Sequence, residues 1–129
     1  MIINSYEGEL MFKKIAFTMY PVIDMARARR FYEETLGLSV SSNYEERWVE
    51  YDLPGGGCFA ITTMAEGISP SSNSGGSIAF EVENLAKLVK DLKTKGVKFK
   101  LDVFETPVCK MAVVIDSEGN ALPLHQLAN

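Results

Sequence analysis

One strand–cap–helix–stop unit occurs twice in this chain, and a duplication of that kind leaves few folds open. Residues 15–22 are rich in β-branched and aromatic side chains, which suit a half-buried strand. Asp24 can accept hydrogen bonds from the free N–H groups of a first helical turn. Met25, Ala28, Tyr32 and Leu36, helped by Phe31, recur at helical spacing, and Gly37 supplies the left-handed residue that ends such a helix. The second copy has a strand at 77–82, a capping Asn84, an apolar stripe of Leu85, Leu88, Val89 and Leu92, and a stop at Gly96. Val22-Ile23-Asp24-Met25-Ala26 precedes Val82-Glu83-Asn84-Leu85-Ala86 by sixty positions.

Each unit continues in the same way. Residues 39–43 and 47–53 read as two further strands separated by Tyr44-Glu45-Glu46. Pro54-Gly55-Gly56-Gly57 could suggest a phosphate-cradling loop, but such a loop leads into a helix N-terminus. This one leads into a short apolar strand at 58–63, so it reads as a turn. Residues 64–76 form a Ser/Gly/Pro-rich linker. Beyond the second helix come a strand at 97–103, an irregular stretch at 104–108 broken by Pro107, and a strand at 110–115. A turn at 116–120 follows, with Gly119 giving positive φ, and then a last strand, Ala121–Leu127. The predicted organisation is an arm at 1–13, loose or strand-swapping, a βαβββ module at 14–63, the linker, and a second βαβββ module at 77–127.

Of the 129 residues, 47% are apolar and 23% charged, enough to build a core and too few charges for a disordered chain. A net charge of −4 argues against non-specific nucleic-acid binding. No apolar run approaches the roughly 20 residues that span a bilayer. The start of the chain lacks the basic end and long apolar stretch of a signal peptide, so a cytoplasmic location is expected. Cys58 and Cys109 sit in apolar strand-like segments and read as free thiols.

The two modules, the acidic cap, Phe31-Tyr32 followed by Leu36-Gly37-Leu38, and Asp116-x-x-Gly119-Asn120 before the last strand resemble one family. It is the vicinal oxygen chelate superfamily of glyoxalases, extradiol dioxygenases and bleomycin-resistance proteins, and the likeness spans 14–126. The resemblance implies an α+β fold in which two βαβββ modules form a cup-shaped mixed sheet with helices outside and ligand or metal within. Strand alternation then predicts which residues face the cup. Tyr20, Val22, Phe80, Val82, Leu122 and Leu124 face the helices. Phe17, Met19, Trp48, Glu50, Cys58, Ala60 and Thr62 face inward from the first module, and Ser77, Ala79, Glu81, Ala121, Pro123 and His125 from the second. Metal-using relatives place His or Gln on the first strand, Glu on the fourth, His on the fifth and Glu on the last. Phe17, Ala60, Ser77 and Pro123 stand there instead, so neither metal nor other cofactor is expected.

The expected function is to bind or sequester a small, partly aromatic molecule against Phe17, Met19, Trp48, Ala60, Ser77 and Pro123. The alternative is a metal-independent lyase or isomerase using Glu50, Glu81 or His125 as acid or base. Against that stand plainer roles: His125 as a strand-end histidine tied to backbone or solvent, and both glutamates as solvated rim residues. Arg27, Arg29 and Arg30, with Glu33 and Glu34 nearby, read as an ion-paired outer face. Ser77 and Cys58 lack any partner nearby in sequence that would activate a nucleophile. A homodimer is expected, because paired modules of this kind leave sheet edges for a second subunit to cover.

Overall fold

The structure is a computed structural model and describes residue 11 and residues 14–128. Apart from Met11, the arm expected at 1–13 lies outside the described residues. Each half forms a four-stranded mixed sheet carrying one helical segment. In the first half, β1 (Thr18–Pro21) is followed by α1 (Met25–Arg29), a π-helical continuation (Arg30–Thr35), β2 (Ser42–Tyr44), β3 (Trp48–Asp52) and β4 (Cys58–Thr62). In the second half, β5 (Phe80–Glu81) is followed by α2 (Leu85–Thr94), β6 (Lys98–Glu105), β7 (Cys109–Ile115) and β8 (Ala121–Leu127). The sheet orders, β1-β4-β3-β2 and β5-β8-β7-β6, repeat one topology. In each, the first strand pairs parallel to the last and the rest are antiparallel. Together they give the α+β architecture of two sheets forming a cup.

Both caps form as the residue types dictate. Asp24 Oδ1 accepts the Arg27 N–H at 3.0 Å, and Asn84 Oδ1 accepts the Lys87 N–H at 3.1 Å. Helix α2 ends as a glycine stop should: Gly96, at φ +80°, donates to the Lys93 carbonyl, and the Val97 N–H reaches the Leu92 carbonyl. The first helix differs in an instructive way. The caps are sixty positions apart, but the stops Gly37 and Gly96 are only fifty-nine apart, so the first helix holds one extra residue. The π segment absorbs it, with the Leu36 N–H bonding the Phe31 carbonyl five residues back. The wider turn lets the consecutive Phe31 and Tyr32 both enter the core.

Strand lengths depart from the sequence reading. The strands expected at 15–22 and 77–82 shrink to Thr18–Pro21 and Phe80–Glu81. Composition favours extended backbone there, but a strand lasts only as long as its ladder. β1 pairs with β4 only over Thr18–Pro21, and Ile15 is left 76% exposed. Conversely, β6 continues through Glu105, where an irregular stretch was expected, by tolerating two register shifts against β7.

A single apolar core joins the halves. It unites Tyr20, Tyr51, Phe59 and Ile61 with Leu85, Leu92, Leu122 and Leu124 beneath the helices. One seam between the halves is closed by polar side chains from the turn at 116–120. The Tyr32 hydroxyl donates to Asp116 at 2.6 Å, and Asn120 Nδ2 donates to the Pro21 carbonyl at 3.0 Å. Glu118 Oε1 accepts the N–H groups of Ile23 and Asp24, both at 3.0 Å, and Arg27 Nε bonds its other oxygen at 2.6 Å. Tyr20 completes the seam by donating to the Ala121 carbonyl and accepting from the Ile78 N–H. Of the arginine run, then, Arg27 spans the two modules, while Arg29 makes the expected pair with Glu33 at 2.7 Å. No described helix is long and apolar enough to cross a membrane.

The seam has a pH signature. Burial alone would raise the Glu118 carboxyl, but the bonds from Arg27, Asp24, Ile23 and Ser117 outweigh it and hold the group at about 2. A carboxyl depressed by folding stabilises the protein above its ordinary value, and the contribution is lost as pH falls through the folded value. Glu118→Gln should therefore cost about 1–2 kcal/mol at neutral pH. In urea titrations the gap between parent and variant should narrow progressively from about pH 4.5 down to about pH 2. A gap that stays constant across that window would show that Glu118 acts by shape alone.

Candidate ligand site

Opposite the helices, the first sheet presents two rows of side chains in register. One row is Met19, Ala60, Glu50 and Ser42, and the other is Pro21, Thr62, Trp48 and Tyr44. The alternation expected for β3 holds: Val49 and Tyr51 are buried beneath the helix, which sends Trp48 and Glu50 to the opposite face. Ala60, flanked by Met19 and Glu50, is fully buried and forms the floor. Phe17, just ahead of β1 and 45% exposed, meets Trp48 edge to face with ring centroids 5.0 Å apart. Trp48 Nε1 donates to Glu50 Oε2 at 2.7 Å, fixing both side chains. Two aromatic rings and a methionine thus share a face with one anchored carboxylate, and the fully buried Ala60 lies beneath them.

Cys58 stands on this face opposite Asp52. Burial, followed by the charges of Glu50 and Asp52, pushes its thiol up to about 11. It therefore stays protonated at neutral pH, which is the wrong state for a nucleophile. Both cysteines are free.

The second sheet contributes a different chemistry. Glu81 and His125 are register partners on β5 and β8, and His125 Nδ1 lies 2.5 Å from Glu81 Oε1. The other Glu81 oxygen accepts the Leu127 N–H at 2.9 Å. These two bonds, His125 first, hold the Glu81 carboxyl below its usual range. His125 is thus tied to a carboxylate, where a backbone or solvent partner had been the plainer expectation. Pro123 is buried on β8 opposite Val113, and Ser77 is exposed ahead of β5, outside the ladder. The structure therefore brings Phe17, Met19, Trp48, Glu50 and Ala60 together on one sheet, and Glu81 with His125 on the other. Ser77 and Pro123 belong to neither group.

The four positions where a metal-using relative carries ligands hold Phe17, Ala60, Ser77 and Pro123, and three of these side chains have no donor atom. Among the described residues, no group of three or more His, Cys, Asp or Glu side chains converges. This donor set does not fit a divalent ion.

A cavity of about 600 Å³ opens elsewhere, on the helix side between the two halves. It is lined by Leu36, Leu38, Leu53, Phe80, Val82 and Leu88, among others, and sequence reasoning did not anticipate it. The signal was present in the turns: 116–120 carries Asp, Glu and Asn where the first module has Leu53, Gly55 and Gly57.

Comparison with known proteins gives the same architecture. The model of the Glyoxalase/Bleomycin resistance protein/Dioxygenase superfamily matches residues 14–124. No curated protein matches in sequence. Among solved structures, the antibiotic binding protein TnmS3 from Streptomyces sp. CB03234 superposes with a TM-score of 0.76 at 20% identity, covering 93% of this chain and 100% of that one. A glyoxalase/bleomycin resistance protein from the same organism gives 0.71 at 21% identity, covering 85% and 97%. A lactoylglutathione lyase from Agrobacterium tumefaciens gives 0.68 at 12% identity, covering 88% and 94%. At such identities the likeness is one of fold.

Proposed function

The chain belongs to the Glyoxalase/Bleomycin resistance protein/Dioxygenase superfamily, and within it we propose a metal-free member that binds or sequesters a small, partly aromatic organic molecule in the cup. The observation that carries this reading is the half-exposed Phe17 ring against Trp48, beside the buried Ala60 floor. Exposed aromatic surface on a concave face gains by covering a flat molecule, on the order of a few kcal/mol per ring before ordering costs. Glu50, anchored by Trp48, offers an acceptor at the edge of that surface. Met19, the register partner of Ala60, extends the apolar lining on the same sheet. One structural relative is an antibiotic binding protein, which supports a ligand of natural-product size. The free thiols Cys58 and Cys109 agree with a reducing, cytoplasmic setting.

Trp48 is the only tryptophan, so its fluorescence reports on the cup directly. Phenazine, flat and uncharged, should quench it saturably with micromolar affinity. Ala60→Phe fills the floor and Phe17→Ala removes the exposed ring; each should weaken binding about tenfold or more. Phe17 is exposed enough for its variant to fold, so titrations of both variants that overlay the parent would remove the cup reading.

The contact between Glu81 and His125 favours a second reading, a metal-independent lyase or isomerase with Glu50, Glu81 or His125 as acid or base. Its expected signature is turnover that vanishes in both His125→Asn and Glu81→Gln while phenazine affinity is kept. Turnover that persists in both rules this pair out as the acid and base.

We also infer a homodimer. Among the described residues the edge strands β2 and β6 have no partner on their outer sides, and β6 exposes Leu101, Val103 and Phe104. Light scattering at micromolar concentration should give twice the chain mass, and Leu101→Glu should shift it toward the monomer. A clean monomer for the parent would exclude this assembly.

A further inference from the structure

The halves of the chain are internally equivalent, so each seam between them can be read against the other. Strand pairing aligns Asp52–Cys58 with Ile115–Ala121, an offset of sixty-three, while the helix caps keep their offset of sixty. In the closed seam the Glu118 carboxylate receives the N–H groups of Ile23 and Asp24 and the guanidinium of Arg27. The equivalent donors in the other seam are the N–H groups of Glu83 and Asn84 and the ammonium of Lys87. The residue equivalent to Glu118 is Gly55, which brings no carboxylate.

Among the described residues, neither the Glu83 nor the Asn84 N–H meets an acceptor, and Lys87 makes no ion pair. A Cβ placed on Gly55 would meet nothing within 4 Å. The 600 Å³ cavity lies at this seam, lined by Gly55 and Glu83 and walled by Leu36, Leu53, Phe80 and Leu88. Its size falls within the range, about 300–1,000 Å³, of small-molecule sites.

We propose that this cavity is a second binding site, distinct from the cup, for a small organic carboxylate with an apolar body. The carboxylate takes the place that Glu118 fills in the closed seam, on the Glu83 and Asn84 N–H groups at the start of the ten-residue helix α2, where Lys87 is the equivalent of Arg27. The apolar body fills the space among the leucines and Phe80. Two carboxylates also line the cavity, Glu81 and Glu83. Glu81 is already engaged by His125 and the Leu127 N–H. Glu83 is exposed and free to turn toward solvent. The closed seam tolerates a similar arrangement, with Asp24 capping the helix while its own N–H binds Glu118.

Decanoate, kept below its micelle concentration, is the probe, with decanol and decylammonium as controls. Calorimetry should show saturable decanoate binding at least about tenfold tighter than either control, and the Glu83 and Asn84 amide resonances should shift on titration. Gly55→Glu supplies the missing carboxylate from the chain itself; it should raise Tm and abolish decanoate binding. Gly55 does not have a positive φ, so the backbone admits the change. Lys87→Glu, on an exposed helix face, keeps the cavity and should weaken decanoate at least about threefold. Ala60→Phe blocks only the cup and should leave decanoate untouched, which separates this site from that reading. The proposal fails if decanoate does not bind, if a control binds as tightly, if Gly55→Glu or Lys87→Glu leaves its affinity unchanged, or if Ala60→Phe removes it.

Discussion

The fold depends on the turn at 116–120 reaching across from the second module to the first. A unit of about fifty residues buries too small a share of its surface to be comfortably stable alone. Here the two units share one core, and the turn is where they are held in register. Asp116, Glu118 and Asn120 between them bind Tyr32, Ile23, Asp24, Arg27 and Pro21, all of the first module. Each is an oriented bond to a group already fixed by a strand end or a helix cap. Apolar packing supplies the bulk of the cohesion but allows sliding. The polar contacts choose a single relative position, and the cup's geometry follows from that choice.

Much of this was legible because it is local. Caps and glycine stops depend on residues within one turn of helix, and Asp24, Asn84, Gly37 and Gly96 do what their types dictate. Cup-facing parity was legible because strand side chains alternate strictly, so burial of Val49 and Tyr51 commits Trp48 and Glu50 to the other face. What failed was anything that needed a partner's extent. The β-branched stretch at 15–22 has the composition of a full strand, but β4 offers a ladder only for Thr18–Pro21. The π turn was written in the sequence as the mismatch between sixty and fifty-nine; reading it requires aligning the two halves at both ends of the helix.

The candidate site divides along the same line. Phe17, Met19, Trp48, Glu50 and Ala60 share a sheet and could be grouped by periodicity. Glu81 and His125 are forty-four residues apart and meet only because β5 pairs parallel to β8. No pattern within either strand announces that contact. The seam cavity is harder still, since it is defined by what a turn lacks. Gly55-Gly56-Gly57 reads as an ordinary tight turn until it is set beside Glu118-Gly119-Asn120, which does the same backbone job and carries two side chains across the seam as well.

Duplication explains why one chain can hold such different chemistries in equivalent places. Two identical modules would make two identical seams, both locked or both open. Divergence has made one seam polar, with Tyr20, Tyr32, Asp116, Glu118 and Asn120, and the other apolar, with Phe80, Leu92, Leu53, Gly55 and Gly57 at the equivalent positions. The locked seam bears the cost of ordering charged groups once and fixes the domain geometry with them. The same asymmetry governs the cup. Ala60 and Pro123 occupy equivalent positions on β4 and β8, where a ligated metal would need carboxylates. An unpaired carboxylate on such a buried floor would carry a heavy desolvation cost without a cation to offset it. A small hydrocarbon side chain carries no such cost at either position. What remains open on this face is the aromatic edge made by Phe17 and Trp48, an apolar surface where a ligand set would otherwise converge.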